Sequence, residues 1–60
     1  MDNLPQDDFI LLSLVNTRLR DGQSLSDFCA DYRADENVLI QRLLRAGYAY
    51  DAEQNRFARG

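Results

Sequence analysis

The sequence predicts a mostly α-helical fold, a three-helix bundle followed by a short C-terminal β-hairpin. Three observations carry this expectation. Apolar residues recur at helical spacing in three stretches. A capping residue precedes each stretch, and a turn follows it. After Gly47 the period shortens from 3.6 to 2.

The lead-in Leu4-Pro5-Gln6-Asp7-Asp8 places proline where a helix tolerates it, before or within the first turn, and offers Asp7 or Asp8 as an N-cap whose charge suits the helix dipole. The first helix is expected over about 8–20. It stops at Asp21-Gly22, where glycine can take the left-handed cap, with Arg18 and Arg20 near the carbonyl end. At about 100° per residue, Phe9, Leu12, Val15, Asn16 and Leu19 share one side, with Leu11 at its margin, while Ile10 and Leu14 fall on the other. Asn16 on an apolar side must find hydrogen-bond partners, and its expected use is to hold a neighbouring backbone in register.

Ser24, with Asp27 three residues on, forms a capping-box-like start for a second helix over about 25–32, whose apolar positions are Leu25, Phe28, Cys29 and Tyr32. Arg33-Ala34 makes a short turn, and Asp35 caps a third helix over about 36–46 that Gly47 ends. Leu39, Leu43 and Ala46 form its apolar stripe, widened by Ile40 and Leu44, and Asn37, Val38, Gln41, Arg42 and Arg45 lie opposite. Tyr48-Ala49-Tyr50 and Arg56-Phe57-Ala58 alternate across a turn, which gives a hairpin over about 48–58. Asp51 can begin that turn, and Asn55 is the residue most able to take a left-handed conformation at its end. A two-stranded ribbon alone is marginal, so Tyr48, Tyr50 and Phe57 are expected to fasten it to the helices.

Sixty residues support one small domain at most, 1–60, and a core of that size favours self-association or a partner. The absence of histidine and lysine removes the commonest general base, the commonest metal ligand and the Schiff-base residue. Cys29 has no second cysteine to pair with, no histidine to activate it and a place on the core side of its helix, so it reads as a small buried hydrophobe. No enzyme activity, cofactor, metal or small-molecule substrate is expected. Asp7-Asp8 and Asp35-Glu36 fit helix capping better than acid–base chemistry. The opening Met1-Asp2-Asn3 lacks the basic region of a signal peptide, and Phe9 to Val15 is too short to span a membrane, so a cytoplasmic location is expected.

The segment SLSDFCADYRADENVLIQRLLRAGY resembles a helix-turn-helix, and YAYDAEQNRF resembles a reduced wing. In that likeness Leu25, Phe28, Cys29 and Tyr32 take the buried places of the motif's first helix, Ala34 the apolar turn position, and Leu39 and Leu43 the anchors of its second. Arg33 stands where such turns commonly carry glycine, and Asp27, Asp31, Asp35 and Glu36 crowd surfaces that DNA-binding members turn toward phosphate. The whole chain also resembles a family of very small bacterial proteins known only as a domain of unknown function. ILLSLVNTRLRDG (10–22) and GYAYDAEQNRF (47–57) carry that likeness. It implies a stand-alone domain and brings no activity with it.

Two binding readings follow. Ile10, Leu14, Ile40 and Leu44 are apolar beyond what the core stripes need, which makes them the candidate interface of a protein-interaction module, with a protein partner or a homodimer. The alternative is a nucleic-acid face on the third helix, where Asn37, Gln41 and Arg45 recur every four residues with Arg42 beside them, residue types that read bases in a major groove. A net charge of −3 and acids at the helix entrance disfavour it. Arg18 and Arg20 could join Arg42 or Arg45 in a phosphate clamp, though capping the first helix and pairing with acids is the simpler use. The rings of Tyr48, Tyr50 and Phe57 could stack on single-stranded bases, but core packing is the simpler use for them.

Overall fold

The computed structural model describes residues 3–60. Three helices, α1 (Asp8–Arg20), α2 (Leu25–Asp31) and α3 (Glu36–Arg45), precede an antiparallel pair of strands, β1 (Tyr48–Asp51) and β2 (Arg56–Arg59). Met1 and Asp2, on which part of the leader reading rests, lie outside the described residues.

Each helix begins on an oxygen that satisfies orphan amides. The Asp7 carboxylate accepts from the Phe9 and Ile10 amides at 2.8 and 3.1 Å, the Ser24 hydroxyl from Asp27 at 3.0 Å, and the Asp35 carboxylate from Asn37 and Val38 at 2.8 and 3.3 Å. Each such cap contributes about 1 kcal/mol. At the other ends, Gly22 and Gly47 take φ of +103° and +98°. The end of α2 uses the same reversal without glycine. Arg33 sits at φ +54°, its amide donates to the Ala30 carbonyl, and the Ala34 amide reaches back to the Cys29 carbonyl at 2.8 Å.

One core receives side chains from every part of the chain: Leu11, Val15 and Leu19 from α1, Leu25, Phe28 and Cys29 from α2, Leu39 and Leu43 from α3, Phe57 from β2, and Leu4 from the lead-in. Tyr32 stacks on Phe28 with ring centroids 4.7 Å apart. The buried stripe of α1 runs i, i+4, i+8 through Leu11, so Leu11 is central to the core rather than marginal, and Phe9, expected to be buried, is 70% exposed. The helix is turned because the flank carrying Phe9 and Asn16 does not face the other helices. The hairpin approaches that flank, and its hydrogen bonds reach α1 at Asn16 and Leu19, two turns or more from Phe9. Leu4 is buried although it belongs to none of the helical apolar stripes. The Asn3 amide donates to the Tyr32 carbonyl at 2.9 Å and ties the lead-in to the end of α2.

The strands pair in the register Tyr50↔Phe57 and Asp51↔Arg56, with β1 beside α3 and β2 beside α1. Asp51 opens the turn by accepting from the Glu53 amide at 3.0 Å, and Asn55 closes it at φ +51°. The Asn55 amide group then donates to the Leu19 and Gln23 carbonyls, while its oxygen accepts from the Tyr50 hydroxyl at 2.7 Å. The tip of the hairpin is thereby fastened to the end of α1.

Candidate functional site

The outward face of α3 exists because Leu39 and Leu43 take the opposite face into the core. Along it Asn37, Gln41 and Arg45 are exposed in one stripe, flanked by Val38 at 56% and Leu44 at 50% exposure. Asp8 at the start of α1 approaches the same face. Together with Asn37, Val38, Gln41, Arg42 and Arg45 it encloses an open groove of about 600 Å³. The charge is graded along the helix, with Asp35 and Glu36 at its amino end and Arg42 and Arg45 in its last turn, as the macrodipole favours.

Arg42 is not a free member of this face. Its Nε donates to the Asp8 carboxylate at 2.7 Å, and its terminal nitrogen donates to the Pro5 carbonyl. The guanidinium thus staples the lead-in to α3, and its charge is answered before any ligand arrives. Arg45 has no ion-pair partner among the described residues. Of the candidate nucleic-acid residues, the fold therefore leaves Asn37, Gln41 and Arg45 exposed and commits Arg42 internally.

The candidate protein interface is also divided. Ile10 is 59% exposed on α1 and Leu44 is half exposed on α3, whereas Leu14 and Ile40 are partly buried against the core. Leu14 supplies core contact that the α1 stripe read from the sequence leaves out, and Ile40 widens the α3 stripe. Tyr48 and Tyr50 likewise pack against the core, and Tyr50 meets Phe57 across the strands at 5.2 Å, so the hairpin rings close the domain. The alternative clamp of Arg20 with Arg42 or Arg45 does not form. Arg42 and Arg45 line the α3 groove, while Arg20 lines another groove with Arg56. Arg18 and Arg20 make no ion pair among the described residues.

Cys29 is buried, and its thiol is pushed above its ordinary value by burial first and then by the carboxylates of Glu36 and Asp35. Such a thiol is a poor nucleophile. Among the described residues no three or more Asp, Glu, Cys or His side chains gather as metal ligands, and no helix is long and apolar enough to cross a membrane.

A family model described as a domain of unknown function, DUF4250, matches residues 5–57. Its span includes all three helices, the turn of the hairpin and the Asn16–Phe57 pair. No curated protein and no solved structure matches the chain.

Proposed function

The chain belongs to the DUF4250 family, a domain of unknown function, and we propose that it is a non-catalytic protein-interaction module that associates with a second copy of itself through the outward face of α3. The left-handed Arg33 and the packed Ala34 between α2 and α3 support a helix-turn-helix-like reading of this half of the domain.

The observation that carries the proposal is the arrangement of α3. Val38 and Leu44, both at least half exposed, stand three residues either side of Gln41. Two such helices packed antiparallel at Gln41 set Val38 of each copy level with Leu44 of the other, on the two flanks of the seam. The same packing sets the acidic amino end of one helix beside Arg45 of the second and opposes the two macrodipoles. Phe9 and Ile10 are more exposed, but no comparable complementarity names their occupant. Burying four half-exposed side chains contributes about 4 kcal/mol, which the cost of association largely offsets, so the dimer is weak and forms only at high protein concentration.

Sedimentation equilibrium over rising protein concentration tests this. The parent should dimerise, and Val38→Asn with Leu44→Gln should remain monomeric with an unchanged helical spectrum. A parent that stays monomeric to millimolar concentration, or a double variant that dimerises equally well, overturns the proposal. The exposed stripe of Asn37, Gln41 and Arg45 supports a second reading, a transcription-regulator-like domain that reads DNA with α3. Duplex binding that weakens steeply with salt and is lost in Arg45→Glu would put that reading in place of the dimer.

A further inference from the structure

We infer that the groove between α1 and the turn of the hairpin is a binding site for a small phosphorylated molecule, held by Arg20 and Arg56. This groove, of about 400 Å³, is separate from the α3 face, and the inference does not rest on the dimer. The chain carries a net charge of −3, yet no carboxylate lines this groove. Asp21 and Glu53 are sequence neighbours of lining residues and are not part of its wall.

The lining is chemically consistent. Ser13, Thr17 and Arg20 follow one another at i, i+4 and i+7, so one stripe of α1 presents two hydroxyls and a guanidinium. Gln54 and Arg56 face them from the hairpin. Arg20 and Arg56 are both exposed and have no ion-pair partner among the described residues. Two planar guanidinium forks with neutral hydroxyl and amide donors between them match the tetrahedral oxygens of a phosphate monoester. The volume leaves room for a small organic group beyond it, within the usual range of ligand pockets.

The two arginines are also held in fixed relation. Arg56 lies between two anchored residues: Asn55, whose side chain donates to the Leu19 and Gln23 carbonyls, and Phe57, whose amide and carbonyl both bond to Asn16. Leu19, next to Arg20, is one of those anchor points. Little backbone ordering is then required on binding, which is what a preorganised site needs. Nothing in the groove is placed to cleave an ester, so the molecule is a ligand and not a substrate.

Amide NMR of the labelled full chain tests the site, with inorganic phosphate as the first probe and glycerol 3-phosphate against glycerol as the second, at constant ionic strength set by chloride. Saturable shifts at Thr17, Arg20, Gln54 and Arg56 are expected, with Kd on the order of 1 mM for bare phosphate and tighter binding of glycerol 3-phosphate. Arg20→Gln and Arg56→Gln should each weaken binding at least about tenfold while the Asn16 and Phe57 amides keep their positions. Unsaturated drift matching that of chloride overturns the inference, as does an affinity in either variant equal to that of the parent. A single-stranded oligonucleotide that binds through the same amides more tightly than glycerol 3-phosphate would also overturn it, in favour of a nucleic-acid backbone.

Discussion

Asn16 and Phe57 pair as two strands would. The side-chain amide of Asn16 donates to the Phe57 carbonyl at 3.0 Å, and its oxygen accepts from the Phe57 amide at 2.8 Å, across 41 residues of chain. Both outward-facing backbone groups of Phe57 are thereby used, which leaves Tyr50↔Phe57 as a non-hydrogen-bonded pair of the ladder and lets the two rings approach. One helical side chain covers the free edge of β2, a place where an unpaired strand would otherwise invite another chain.

Replacing Asn16 should loosen the hairpin rather than the helices. Asn16→Leu strips both partners from Phe57 and is expected to cost about 2 kcal/mol or more. Asn16→Asp keeps the acceptor but sets a carboxylate against the Phe57 carbonyl, so it should not rescue the loss. Urea unfolding gives the magnitude, and amide exchange at Phe57 and Ala58 gives the location. Equal protection in parent and variant would remove Asn16 from this role.

Arg33 holds a left-handed conformation that favours glycine. Arg33→Gly relieves that strain but also frees the unfolded chain, so a net stabilisation of up to about 1 kcal/mol is expected. Arg33→Val should destabilise, because a branched side chain fits φ +54° poorly. The check is the urea midpoint at constant slope. A less stable glycine variant would mean that the Arg33 side chain makes a contact worth more than the strain.

Cys29 makes stability depend on alkaline pH. The folded chain holds the thiol proton above the ordinary value of 9.0, so the folded state binds more protons than the unfolded state once pH passes that value. The contribution is intact below about pH 9 and is lost as pH rises toward the folded value. Unfolding free energy measured against pH for the parent and Cys29→Ala should diverge in that window, with the parent falling faster. Parallel curves would show that burial and the Glu36 and Asp35 carboxylates do not act on this thiol. Slow reaction with a thiol reagent at neutral pH is expected for the same reason.

Much of the local structure was legible because its causes are local. Asp7, Ser24 and Asp35 cap amides two or three residues away, and Gly22 and Gly47 end helices by their own torsions, so the helix starts fall where a reading of neighbours puts them. Asn55 could be singled out as the left-handed residue of the turn, since asparagine tolerates that region. Asn16 could be singled out as a polar residue on an apolar side, though its partner could not. The rotation of α1 was not legible. Almost every position from Phe9 to Val15 is apolar, so several stripes fit, and the helix-facing and hairpin-facing sides look alike in sequence.

Spacing and capping act over a few residues, and they suffice to specify three helices, a terminal hairpin, a buried cysteine and a polar stripe on the third helix. Tertiary structure alone decided which side of α1 is core, that Leu4 is buried, that Arg42 is spent on Asp8 and Pro5 across 34 and 37 residues, and that Arg20 and Arg56 share a groove. Those pairings join side chains that are close only after the chain has closed on itself. Their energies arise from burial and hydrogen bonds between distant segments, which no short window of sequence contains.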